Sequence, residues 1–313
     1  MTYNKYNTKA PKSQFGREEP AVFLTLFEGG HEPLLGLDKD IKDRTRYMAT
    51  KRKKYELRHG DVIDVEEFHD GNYGAPGEKR NKKKKPTKED MQKANAINKA
   101  KRARQRLLEY FSPDDIWATW EYQVENRPQS MDEALKDFQR AIRIVRKEYK
   151  KRGYELFWIR NIEKGTKGAW HIHIIVNKIE DTASILGRAW SKGGTWHIEI
   201  KRSKFYDEDF TKLANYVTKD ENTREKKKDG TYAKPRLSDA SYNTSRNMPL
   251  PDPKVQKLVR WPKEPKPKKG YYIAKIHEGI NPKTGYKYRH YTIIRISSFA
   301  DEVRHKVKID RRI

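Results

Sequence analysis

The stretch from Gly168 to Asn177 constrains this chain most, because its apolar residues recur at every second position. A period of two predicts a β-strand with one apolar face. That face consists of Trp170, Ile172, Ile174 and Val176. His171 and His173 then share the opposite face, two residues apart, where both ring nitrogens can meet one cation. The same pattern is also typical of an ordinary solvent-facing strand, so the histidine pair alone leaves both interpretations open.

The charge balance narrows the class of partner. The 313 residues carry a formal net charge of +26 at pH 7, together with 18 Tyr and 7 Trp. Such a composition favours a polyanion, and nucleic acid is the expected one; we find no long basic amphipathic helix that would favour a membrane surface. Hydrophobic residues make up only 35%, so we expect part of the chain to be extended or loosely packed.

The residue types that are missing exclude several kinds of chemistry. The sequence has no cysteine, which excludes disulfides, thiolate zinc sites and thiol nucleophiles. It has no signal-peptide pattern and no apolar run of membrane-spanning length, so we expect a cytoplasmic protein without a membrane partner. It also lacks a P-loop, which predicts that the chain does not use ATP.

The chain divides into three regions by composition. Residues 1–111 form a basic N-terminal region, expected to be accessory and DNA-binding, with a strand candidate at residues 22–27. Residues 112–250 look globular, and residues 251–313 combine a Lys/Pro linker with a C-terminal β-hairpin. The densest positive run lies in the first region and is expected to contact DNA phosphates rather than to be only a solvated surface. Its centre is Lys82, Lys83, Lys84 and Lys85.

The globular region predicts an α+β fold. Strands and helices succeed one another as strand, helix, strand, strand, helix, strand, helix, which does not alternate as a parallel βα fold would. We therefore expect a central antiparallel sheet flanked by helices. A Gly-rich turn at residues 164–168 joins the histidine strand to the preceding strand as a hairpin, and residues 207–220 read as the last helix.

That last helix carries a candidate nucleophile, Tyr216. A helix places Lys212 four residues before it and Lys219 three residues after it on the same face. Two ammonium groups would lower the pKa of the phenol and favour the phenolate, so Tyr216 becomes a candidate nucleophile on a phosphodiester. A cation on the histidines would polarise the phosphate, and a carboxylate should complete its ligands. Glu163 is the first choice, because it ends the strand across the hairpin from His171; Glu121 is the second.

Three motifs in this order resemble the HUH endonuclease superfamily. They are Thr119-Trp120-Glu121-Tyr122, His171-Ile172-His173 and Tyr216-Val217-Thr218-Lys219, and the minor motif Ser245-Arg246-Asn247 agrees. The set is similar to the single-tyrosine replication initiators of rolling-circle plasmids and single-stranded DNA phages, and it covers roughly residues 112–250.

The resemblance implies a fold of the HUH type, related to the RRM sheet, and a division of labour among the residues. His171 and His173, with Glu163 inferred as third ligand, would bind Mg²⁺ or Mn²⁺. Tyr216, assisted by Lys219, would attack DNA and leave a 5′-phosphotyrosine and a free 3′-hydroxyl. Lys212 and Arg246 are expected to contact DNA. The implied partners are single-stranded DNA or an origin hairpin, and a host helicase and polymerase.

Other functions remain open at this point. A relaxase or a single-tyrosine transposase would use the same chemistry on a different mobile element. A non-catalytic nucleic-acid-binding protein would leave the histidines structural. A second catalytic tyrosine is not obvious; the remote candidates are Tyr206, Tyr232 and Tyr242.

Overall fold

The computed structural model describes residues 50–69, 87–164, 169–219, 242–258, 261, 264–280 and 287–296. The predicted α+β class is confirmed: this part of the chain forms ten strands and four α-helices. The predicted strand at residues 22–27 and the lysine run at residues 82–85 lie outside the described residues.

The elements follow one another in two groups. The N-terminal flank provides β1 (Thr50–Leu57), β2 (Val62–His69) and helix α1 (Lys88–Tyr110), and the C-terminal flank provides β8 (Lys254–Leu258), β9 (Tyr271–Ile280) and β10 (Lys287–Arg295). The globular region between them provides β3 (Ile116–Glu121), α2 (Met131–Lys151), β4 (Trp158–Lys164), β5 (Trp170–Val176), α3 (Thr182–Ala189), β6 (Thr195–Glu199), α4 (Thr211–Thr218) and β7 (Tyr242–Thr244).

The globular region builds the central sheet, whose strand order is β6-β3-β5-β4-β7 and whose pairs are all antiparallel. The histidine strand β5 lies in the middle. Its apolar residues face helix α2, whose stripe of Phe138, Ile142 and Val145 packs into the same buried cluster as Ile172 and Ile174. Helix α2 begins where the Ser130 hydroxyl accepts a hydrogen bond from the Glu133 N–H. Helices α1 and α4 cover the opposite face.

The two flanks form a single second sheet. This flank sheet has the order β8-β1-β2-β10-β9, so that β2 from before the globular region pairs with β10 from after it. Sequence reasoning placed the flanks in separate regions. Helix α1 lies between the two sheets, because Leu107 and Leu108 pack in one buried cluster with Leu57 and Ile294 of the flank sheet and Ile159 of the central sheet.

The boundaries of several elements differ from those predicted. The last helix of the globular region covers Thr211–Thr218 rather than residues 207–220. It begins late because Phe210 has a left-handed backbone (φ 56°), which a continuous helix cannot contain, and it ends at the extended residue Lys219. Strands β1, β7 and β8 were not predicted, because their short polar sequences lack the apolar alternation that marks a half-buried strand. Among the described helices, none has the length and apolar character needed to cross a membrane.

Candidate active site

Strand register brings the histidines and their neighbours together on one face of the central sheet. His171 on β5 lies directly opposite Glu163 on β4, and His173 lies opposite Thr119 on β3. Directly opposed residues in an antiparallel pair point to the same face, so all four side chains lie on the side of the sheet that α4 covers. The position expected for Glu163 across the hairpin from His171 is therefore the one it occupies.

The three predicted metal ligands converge on one point. Glu163 Oε1 lies 3.0 Å from His171 Nε2 and 2.7 Å from His173 Nε2. One donor atom from each residue lies within 4.8 Å of the other two. Glu163 and His173 are buried, whereas His171 is half-buried and faces the open side of the site. The pair is therefore not an ordinary solvent-facing strand motif.

A hydrogen bond from the neighbouring strand orients His173. Thr119 Oγ1 lies 2.9 Å from His173 Nδ1, and both side chains are buried. A hydroxyl can donate to this nitrogen or accept from it, so it holds the ring in place while Nε2 faces Glu163. Thr119 belongs to the first of the three sequence motifs, but its contact with His173 depends on strand pairing and was not predicted.

Helix α4 places the Tyr216 phenol against the same group. Tyr216 Oη donates to Glu163 Oε1 at 3.1 Å and lies 3.0 Å from His173 Nε2. The aromatic rings of Phe205 and Trp117 hold the phenol ring there: Phe205 stacks on Tyr216 with ring centroids 4.0 Å apart, and the Trp117 ring lies 5.3 Å away. Neither aromatic residue was predicted to support the site, because each contacts Tyr216 only in the folded protein.

Burial and the neighbouring carboxylate control the protonation of this group. Burial raises the pKa of Tyr216, and the charge of Glu163 and its hydrogen bond raise it further. Burial alone would also raise the pKa of Glu163, but hydrogen bonds with His171 and His173 hold that pKa well below its usual range. In the metal-free protein the site therefore contains a neutral phenol beside an ionised carboxylate.

The prediction that Lys212 and Lys219 lower the pKa of Tyr216 is wrong for this metal-free state. The Lys212 side chain is exposed, and Lys219 follows the last helical residue with extended backbone angles. Among the described residues, neither ammonium group forms a hydrogen bond or ion pair with Tyr216. The helix is too short to carry both lysines on the face of Tyr216, so the buried carboxylate of Glu163 dominates.

The donor set fits a divalent cation. Two imidazole nitrogens and a carboxylate oxygen are ligands that first-row divalent ions accept, and three protein ligands leave positions open for other oxygen atoms. The Thr119 contact to His173 is the kind of outer hydrogen bond that accompanies metal-binding histidines. The alternative ligand Glu121 also lies opposite His171 in the strand register, but it is exposed and stands outside the group of three.

The remaining predicted site residues lie elsewhere. Arg246 follows β7 and lines a groove on the opposite face of the central sheet. Lys82, Lys83, Lys84 and Lys85 lie outside the described residues, as does Tyr232. Of the other tyrosines considered, Tyr206 packs against the Phe210 ring, and Tyr242 lies on the edge strand β7.

One further residue near the site has no predicted role. Asn161 lies directly opposite His173, on the same face as Glu163, and is fully buried. Within the described part of the chain, neither atom of its side-chain amide has a hydrogen-bond partner. A buried amide is normally satisfied, so its position beside the histidines marks a polar group available to a ligand.

Comparison with known proteins agrees with this geometry. Residues 115–221 match the family model described as replication-associated protein, the family of ORF2 and the gene II proteins. This segment runs from just before β3 to just after α4 and so includes Thr119, Glu163, both histidines and Tyr216. The predicted resemblance to replication initiators is thereby confirmed for about a third of the chain. No curated protein and no solved structure matches the chain.

Proposed function

We propose that this chain, whose residues 115–221 match the replication-associated protein family, nicks and rejoins single-stranded DNA at a replication origin. The family match supports a role in replication and a DNA partner. The nicking chemistry rests on one observation: Tyr216 Oη lies within 3.1 Å of the Glu163 oxygen on which both histidines converge. A nucleophile and a set of cation ligands meet at one point.

In the proposed reaction Tyr216 Oη attacks the phosphorus of one phosphodiester. A bond forms between phosphorus and the tyrosine oxygen, and the bond between phosphorus and the 3′-oxygen breaks. The proton that the phenol loses is balanced by the proton that the leaving 3′-oxygen gains, so the products are a 5′-phosphotyrosine and a free 3′-hydroxyl. Attack by that hydroxyl on the phosphotyrosine reverses the step and rejoins the strand.

The side chains around Tyr216 prepare this step. Phe205 and Trp117 restrict the phenol ring, so that little rotational freedom is left to lose when the oxygen meets phosphorus. His171, His173 and Glu163 would hold Mg²⁺ or Mn²⁺, with Thr119 orienting His173. A cation bound there would polarise the phosphate and offset the Glu163 charge that disfavours the phenolate. Lys219 remains the proposed assistant of Tyr216, and Lys212 a proposed phosphate contact.

The proposed partners follow from the products. A free 3′-hydroxyl is a primer for a polymerase, and a sequence without a P-loop leaves unwinding to a separate helicase. We therefore propose a host polymerase and helicase as partners, an origin hairpin as the DNA substrate, and the cytoplasm as the location.

A covalent adduct is the decisive test. The protein is incubated with Mn²⁺ and single-stranded oligonucleotides tiled across the origin of its replicon, and the products are separated on a denaturing gel. We expect a protein–DNA band that EDTA abolishes and that Tyr216→Phe lacks. Tyr206→Phe and Tyr242→Phe are matched controls, and both should retain the band.

Two other results would change the conclusion. A band that survives Tyr216→Phe and disappears in one of the control variants would move the nucleophile to that tyrosine. The absence of any adduct or nick across the whole origin would refute nuclease activity and favour a non-catalytic nucleic-acid-binding protein.

A further inference from the structure

A groove lies on the face of the central sheet opposite to Tyr216. It has a volume of about 740 Å³ and runs between helix α2 and strands β4 and β7. Residues alternate in direction along β4, so Arg160 faces this groove while its neighbour Asn161 faces the active site. The groove and the candidate active site therefore share one strand but lie on opposite sides of it.

The groove collects far more positive than negative charge. Five cationic side chains line it: Arg143, Arg146, Lys150, Arg160 and Arg246. The acidic residue in its lining, Glu155, accepts a hydrogen bond of 2.8 Å from the Asn247 amide. Across the described ranges, Arg146, Lys150 and Arg246 form no ion pair, whereas nearby Arg152 pairs with Glu148 and Asp181. Like charges gathered in a concavity favour an anionic ligand.

The floor of the groove suits a planar apolar group. Arg160 is only 3% exposed, its guanidinium lies 5.2 Å from the centroid of the Phe138 ring, and its burial lowers its pKa to about 10. The floor also includes Leu135, Ile142 and Leu156, and the Asn243 amide lines the same groove. A planar guanidinium on an apolar floor can stack on a nucleobase, and the exposed cations at the rim can meet its phosphates.

We propose that this groove binds unpaired nucleotides of a DNA strand, away from the bond that Tyr216 attacks. Its volume is typical of a site for a small ligand rather than for a duplex, and paired bases stack on each other and do not offer their faces. Strand β7 forms the edge between the two faces, about two strand spacings (~10 Å) from the histidine strand. A strand leaving the active site can therefore pass around this edge. The inference takes DNA as the ligand from the proposed function.

Binding of labelled oligothymidylate, followed by fluorescence anisotropy in EDTA, tests the groove without cleavage. The full chain is compared with Arg146→Ala, Arg246→Ala and the double variant, whose side chains are exposed and whose loss should not affect folding. Lys147→Ala is the matched control, because Lys147 is an exposed cation on the same helix but does not line the groove. We expect each groove variant to bind about tenfold more weakly, the loss of one charge-assisted contact, and the control to bind like the wild type.

The salt dependence and a duplex probe sharpen the test. Each lost contact to a single strand should reduce the slope of log K against log salt by about 0.7, so the double variant should lose about 1.4. For a duplex of the same length the double variant should bind like Lys147→Ala. Wild-type affinity of the double variant for oligothymidylate, or an equal loss for both probes, would overturn the proposal.

The adduct assay separates this proposal from the proposed function. Groove-dependent binding of oligothymidylate by a wild-type protein that forms no adduct would support the groove and refute the nuclease. An adduct formed by a double variant that binds oligothymidylate normally would support the nuclease and refute the groove.

Discussion

Arg104 on α1 joins the flank sheet to the helix that carries Tyr216. Its guanidinium lies 2.9 Å from Asp64 on β2 and 3.3 Å from Asp209, just before α4. Asp209 in turn accepts hydrogen bonds from the N–H and the hydroxyl of Thr211, the first residue of α4. Between them, Phe210 is held in its left-handed conformation, which a non-glycine residue adopts only when its surroundings impose it. We predict that replacing Arg104 by methionine destabilises the whole protein.

The magnitude follows from burial. The exposed fractions of the three side chains are 5% for Arg104, 0% for Asp64 and 2% for Asp209. Methionine keeps the length of the stem but removes the charge, which leaves two buried carboxylates without their main partner. Breaking a buried ion pair in this way costs about 3–5 kcal/mol of unfolding free energy. For a protein of this size that corresponds to a fall in Tm of roughly 6–20 °C.

The effect should depend on pH. Burial alone would raise the pKa of Asp64, but Arg104 and His290 more than offset this and hold the pKa far below its usual range; Arg104 and Lys275 similarly lower that of Asp209. Groups with lowered pKa values stabilise the fold above their unfolded pKa, near ~4, and lose this effect only as the pH falls through the folded pKa. Without Arg104 the carboxylates should take up protons near pH ~4, which relieves the penalty. The difference between wild type and variant should therefore shrink from pH ~7 to pH ~4.

Urea unfolding followed by circular dichroism at both pH values measures this difference. Arg140→Met is the control, because Arg140 forms an exposed ion pair with Asp137 at 68% side-chain exposure and should change stability by no more than about 1 kcal/mol. The reasoning is refuted if Arg104→Met unfolds within about 1 kcal/mol of wild type at neutral pH, or if its deficit is the same at both pH values.

Three further predictions concern the candidate active site. Thr119→Val should weaken Mn²⁺ binding about 10- to 100-fold, because His173 loses its orienting hydrogen bond; titration calorimetry measures this, and Thr195→Val, on the opposite face, should leave the affinity unchanged. Mn²⁺ at about 100 times its Kd should raise the unfolding free energy by about 2.7 kcal/mol in a thermal melt, and a shift that persists in His171→Ala would count against the proposed ligands. Asn161→Val should raise the unfolding free energy by about 1 kcal/mol, since it removes a buried amide that no described residue satisfies, and should reduce adduct formation; a less stable variant with full activity would contradict this.

Local sequence predicted much of the active-site strand. The alternation around His171 and His173 defined both the strand and the face that the histidines share, because side-chain direction in a strand depends only on position. Glu163 could be placed opposite His171 for a similar reason: a hairpin pairs residues that are close in the chain, so counting back from the turn gives the partner. The apolar stripe of α2 likewise predicted its buried face, and Tyr216 was found from its motif.

Only the tertiary structure decided what surrounds these residues. The opposed pKa effects on Tyr216, the contact between Thr119 and His173, and the bond from Arg104 to Asp209 join residues far apart in the chain. The pairing of β2 with β10 spans more than two hundred positions, and their sequences carry no sign of which strand each will meet. Periodicity reports the direction of a side chain relative to its own backbone. Which groups it contacts, and hence whether Tyr216 meets a lysine or a carboxylate, depends on strand order and helix packing, which are properties of the whole fold.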